Sequence, residues 1–72
     1  MTGPAGRHPA TVEMLRYFEY AHLPEHLQAT SSRCHDLAHA MVDDLPDGPM
    51  LTTGLRKLLE AKDCFVRAAL PA

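Results

Sequence analysis

Tryptophan is absent from this 72-residue chain, and its aromatics are confined to Tyr17, Phe18, Tyr20 and Phe65. A chain this short with so few large side chains buries little surface by itself. Domains of this size generally need a staple: a disulfide, a metal or partner subunits. A long apolar run is missing too, with none approaching the ~20 residues of a membrane span. A surplus of basic charge is also lacking. Seven basic residues against nine acidic ones give a net charge of −2. That argues against broad binding to duplex DNA or RNA, which needs a basic surface. A small anionic ligand remains compatible, because a few local cations suffice for it. Met1-Thr2-Gly3-Pro4 carries no basic n-region followed by an apolar core. A cytoplasmic location, with no membrane partner, is therefore expected, and Cys34 and Cys64 are expected to be reduced. No internal repeat or low-complexity stretch occurs.

The apolar residues that are present fall into two helical stripes. Leu51, Leu55, Leu58, Leu59, Phe65, Val66, Ala69 and Leu70 recur at three- and four-residue steps. Upstream, Leu27, Thr30, Cys34, Leu37, Ala38, Met41, Val42 and Leu45 do the same, and Pro46-Asp47-Gly48-Pro49 separates the two runs. The pattern predicts an antiparallel helical hairpin. The last stripe is wider than one neighbour requires, so self-association into a homo-oligomer is expected. Ahead of the hairpin, residues 1–10 read as a flexible arm, with Gly3, Pro4, Gly6 and Pro9 opposing regular structure. Residues 11–72 read as one helical-hairpin domain. Thr11 is placed to cap a first helix running to about Tyr20, with Met14, Leu15 and Phe18 on its apolar side. Leu23-Pro24 ends it, and a second helix is predicted from about Pro24 to Leu45, with a possible kink at Thr30-Ser31-Ser32. Asp43 and Asp44 fall at that helix's carboxyl end, where the dipole disfavours acids.

A hairpin turning between Asp47 and Gly48 sets Cys34 level with Ala61, so Cys64 lies three residues, or ~4.5 Å, out of register. Both thiols read as buried small hydrophobes rather than a disulfide. Cys34 beside His35 does not form a nucleophilic couple, because adjacent helical residues diverge by about a hundred degrees. The chain is read as a non-enzyme.

Five histidines include the pairs His22/His26 and His35/His39, each at the four-residue spacing that shares a helix face. Pro24 interrupts the first pair. These read as surface or interface histidines, and a histidine-rich metal-binding protein stays as an alternative. Arg67 can pair with Asp63 four residues before it, and Arg56 with Glu60 four residues after it. Arg67's planar fork also suits a phosphate or a base edge. Tyr20, at a junction, can lie as a lid on the core or offer its face to a nucleobase.

Phe18-Glu19-Tyr20-Ala21-His22-Leu23-Pro24, then His35-Asp36-Leu37-Ala38, then Phe65-Val66-Arg67-Ala68-Ala69-Leu70 together resemble the small helical-hairpin domain of phage anti-CBASS cyclic-nucleotide sponges. A similar hairpin occurs in some anti-Thoeris sponges. The resemblance covers roughly Arg16 to Leu70. It implies a non-enzymatic protein of the infected bacterial cell that binds cyclic oligonucleotide second messengers and holds them, so that the defence effector stays off. It also implies a compact homo-oligomer, typically a hexamer, with no cofactor and with separate pockets for cyclic dinucleotides and cyclic trinucleotides. Tyr20 matches the family's base-stacking tyrosine. The family's ligand-contacting lysine falls at His35, and the basic residue after the tyrosine falls at Ala21; both are departures that weaken phosphate attraction at the dinucleotide site. Arg67 matches the late arginine associated with the trinucleotide site. The ligand contacts implied are Tyr20, His22, Ser32, His35 and Arg67, with no metal. A structural module that only oligomerises is the alternative.

Overall fold

Three helices account for most of residues 7–71, the residues that the computed structural model describes: α1 (Pro9–Arg16), α2 (Glu25–Asp44) and α3 (Pro49–Ala69). The described residues contain no strand. α2 and α3 form the expected hairpin and α1 packs across both, giving an elongated body of 40 × 21 × 17 Å. No helix is long and apolar enough to cross a membrane among the described residues.

The hairpin core follows the two stripes. Cys34, Ala38 and Val42 of α2 meet Leu51 and Leu55 of α3, and Leu15 and Phe18 close the core from above. Phe18 and Ala38 are fully buried. Each large side chain removed from water in this way stabilises the fold by about 1.5–3 kcal/mol. The stripes are only half used. Leu37, Met41, Leu45, Met50, Phe65 and Leu70 stay exposed, Met50 by 82%. Leu37, Met41 and Leu45 share with Met50, Gly54 and Leu58 an open apolar groove of about 460 Å³.

α2 begins within one residue of its predicted start, with Pro24 at its N-cap, and it runs unbroken through Thr30-Ser31-Ser32. The Ser32 hydroxyl bonds back to the Ala29 carbonyl at 3.0 Å, which satisfies it locally without interrupting the helix.

The first helix departs from expectation at both ends. It starts at Pro9 rather than Thr11, because His8 takes the N-cap: its Nδ1 accepts from the Ala10 amide at 3.0 Å, and Pro9 opens the first turn without needing a donor. Thr11 is fully buried and donates its hydroxyl to Asp47 instead of capping. The helix ends at Arg16, not Tyr20. Successive three-residue bonds, Tyr17 N–H to Met14, Phe18 to Leu15 and Glu19 to Arg16, tighten the chain there and turn Phe18 into the core.

The expected arm over residues 1–10 divides. Residues 1–6 lie outside the described residues. Arg7 and His8 are tied to the hairpin turn, and Pro9 and Ala10 belong to α1. Asp47 is the knot. Its Oδ1 accepts from Arg7 Nε at 3.0 Å and from the Thr11 hydroxyl at 3.0 Å, and its Oδ2 accepts from the His8 amide at 2.9 Å. These donors, the His8 amide foremost, hold the Asp47 carboxyl below its ordinary value, against partial desolvation that raises it. Arg7 also donates Nη1 to the Val42 carbonyl at 2.7 Å and Nη2 to the Leu45 carbonyl. That explains how α2 tolerates Asp43 and Asp44 at its end with no base in its own last turn: a cation from outside the helix binds its terminal carbonyls.

Candidate functional site

Residues 17–23 join α1 to α2 as a chain of tight turns, and neighbouring side chains fix them in place. The Leu23 amide donates to the Tyr20 carbonyl at 3.0 Å. Gln28 Nε2, from the first turns of α2, donates to the Leu23 carbonyl at 2.9 Å and to Ala21 at 3.4 Å. From α3, Lys62 Nζ reaches the Tyr17 carbonyl at 3.2 Å. The loop is therefore held from both arms of the hairpin.

That anchoring carries Tyr20 onto the side of α2. Its ring meets His35 edge-to-face, with centroids 5.1 Å apart and planes at 77°. Tyr20, His22 and His35, with Glu19 and Ala21, line an open hollow of about 370 Å³. Three of the five expected contact residues therefore come together. Ser32 is half-buried with its hydroxyl turned to its own helix, and Arg67 is exposed in the last turn of α3; neither lines this hollow. The hollow carries no lysine or arginine. Its chemistry is a half-exposed phenol, two imidazoles and one carboxylate.

His35 is further defined on its other sides. Its Nδ1 lies 3.0 Å from Asp36 Oδ1. A carboxylate only accepts, so Nδ1 carries the proton and Nε2 keeps its lone pair. One turn on, the His39 ring lies 4.2 Å from His35 at a tilt of 38°. Burial foremost, and then the nearby charge of His35, holds His39 below its ordinary value of 6.5, while Asp43 and Asp36 pull the other way. His22 and His26 share no continuous helix, as Pro24 required: His22 sits in the turn and His26 in the first turn of α2. Among the described residues, no group of three or more His, Cys, Asp or Glu side chains converges.

Two expected ion pairs do not form among the described residues: neither Arg56–Glu60 nor Asp63–Arg67 is closed, as both arginines extend into solvent where such pairs are weak. The two thiols are free. Cys34 is buried as expected, but Cys64 is exposed, because it lies nine residues, or about 180° round the helix, from buried Leu55. Cys34 lines a shallow hollow with Leu58 and Phe65, on either side of the level of Ala61.

The spacing of His35 and His39 was visible in the sequence, but their alliance with Asp36 and Tyr20 was not. Lys62, Arg7 and Asp47 carried no signal beyond being polar, because each acts across forty residues or more, and Gln28 carried none because its loop carbonyls, five and seven residues back, fall outside the helical spacings. No family model, no curated protein and no solved structure matches this chain.

Proposed function

We propose that this protein binds cyclic oligonucleotides and holds them without cleaving them, as a phage-type sponge that withholds the messengers of CBASS-like immune signalling. The observation that carries the reading is the hollow in which Tyr20, His22 and His35 meet. Tyr20 stands half-exposed there, in T-shaped contact with His35, and offers ring surface for a nucleobase. His22 supplies a donor for phosphate or a base edge, and the Nε2 lone pair of His35 an acceptor for a base edge. A hollow of about 370 Å³ lies near the lower limit for ligand pockets of ~300 Å³. It takes one base rather than a whole cyclic dinucleotide. The remainder of the ligand then faces a second copy of the chain, which fits a homo-oligomer with pockets between protomers. Arg67, remote from the hollow in sequence and on another helix, serves a second pocket for a cyclic trinucleotide.

The exposed apolar groove beside Leu37 and Met41 favours a second reading, a helical module whose only task is assembly. Calorimetric titration with a panel of cyclic di- and trinucleotides, with mass measured in solution, separates the two. The sponge reading expects saturable binding by an oligomer. Tyr20→Ala then weakens dinucleotide binding about 5- to 150-fold, corresponding to ~1–3 kcal/mol for one stacked base. Arg67→Ala leaves that site intact and weakens only the trinucleotide. A folded oligomer that binds none of the panel sinks the sponge and leaves the assembly module.

A further inference from the structure

The imidazoles of His35 and His39 make an arrangement that nucleotide binding does not require. They are four residues apart on α2, their rings face each other at 4.2 Å with a tilt of 38°, and both are half-buried. His35 is also oriented. Asp36 accepts its Nδ1 proton at 3.0 Å, which leaves Nε2 as the free lone pair. A carboxylate on the far nitrogen of an imidazole is the supporting contact that metal-ligating histidines usually have, because it fixes the tautomer and raises the basicity of the ligating nitrogen. Tyr20 makes a T-shaped contact with the same ring, with centroids 5.1 Å apart.

We propose that His35 and His39 form a two-nitrogen site for a late first-row divalent ion, copper(II) or zinc(II), beside the Tyr20 hollow. Metal–nitrogen bonds of ~2.0 Å at a right angle place two imidazole centroids about 4.5 Å apart, and a tetrahedral angle places them about 5 Å apart. The observed 4.2 Å needs an opening of well under 1 Å for the first and slightly more for the second. The ring separation is thus compatible with a shared ion and lies closer to the tetragonal geometry of copper(II), which also ranks highest in affinity for nitrogen ligands. No third His, Cys, Asp or Glu joins them among the described residues, so water completes the shell. Those waters are exchangeable. The ion gives a fixed positive charge to a hollow that holds no lysine or arginine. The site stands on its own geometry and does not depend on the nucleotide reading.

The test is titration of chelator-treated full-length protein with Cu²⁺ and separately with Zn²⁺, followed by calorimetry, with electron paramagnetic resonance for copper. The expected result is saturation at one ion per chain and a copper spectrum with nitrogen hyperfine structure from two imidazoles. His39→Gln and His35→Gln each weaken binding at least about tenfold, Asp36→Asn weakens it by up to about tenfold, and His22→Gln with His26→Gln leaves it unchanged. Circular dichroism confirms that each variant keeps its helices. His35→Gln/His39→Gln binding as wild type overturns the site, as does binding that never saturates or that is lost only with His22 and His26.

Discussion

Ser31 is fully buried in the middle of α2, and its hydroxyl finds no partner among the described residues. A buried hydroxyl without a hydrogen bond is costly, and serine is a poorer helix former than alanine. Ser31→Ala removes both penalties without leaving a cavity larger than one oxygen. It is expected to stabilise the protein by about 1 kcal/mol, raising the melting temperature by roughly 4–8 °C for a domain of this size. A lower melting temperature would show that the hydroxyl has a partner. Asp47 is the opposite case, a carboxylate with three donors. Its folded-state affinity for protons is held below the ordinary value of 3.8. The linkage therefore runs in one direction: the contribution is complete above that value and is lost as pH falls through the lower folded value. Asp47→Asn keeps the shape and loses the charge. Urea unfolding should find the variant less stable at pH 7, and the gap should close in acid below the ordinary value. A gap independent of pH would mean that the knot acts through shape alone.

At the scale of the element, α2 and α3 were legible because their signals are local. Leu23-Pro24 and Asp47-Gly48-Pro49 mark their ends, and the stripes run without interruption between them. α1 was less legible. A helix of eight residues is marginal by propensity, and its position is set by His8 at the cap and by Thr11 and Arg7 bonding to Asp47, some forty residues away. The candidate site shows the same division. Tyr20, His22 and His35 were identified as residues, but their meeting depends on Gln28 and Lys62 holding the 17–23 loop, which no spacing rule contains. Gly54 gives the element-scale prediction. It lies in the interior of α3, exposed, and a Cβ built there meets nothing within 4 Å. Gly54→Ala should therefore stabilise the single chain by about 0.5–1 kcal/mol through backbone entropy alone. Thermal unfolding at low protein concentration reads it, and a loss of stability there would show that the open space beside Gly54 is filled.

The whole molecule presents two opposite sides of α2. His35 lines the Tyr20 hollow, with His39 beside it one turn on; Leu37 and Met41, each two residues or about 200° further round, line the apolar groove with Leu45. The polar side holds the candidate chemistry, and the apolar side is left uncovered by the three helices. Burial on one chain is confined largely to the inner half of each stripe, and large side chains at Leu37, Met41 and Met50 meet water at a cost that a monomer of this length has little margin to carry. In the homo-oligomer proposed here, a second copy covers this groove. Met41→Glu places a charge in the groove without touching Leu15, Phe18 or Val42 in the core. Light scattering across a concentration series should then show the wild type at a multiple of 7.9 kDa and the variant shifted toward the single-chain mass, with helicity retained. Gly54→Ala sharpens the result: a variant that stabilises the dilute chain but weakens assembly locates the contact at the groove. If Met41→Glu leaves the mass unchanged, the chain assembles through another surface, and the Tyr20 hollow has to be completed by whichever helices that surface brings to it.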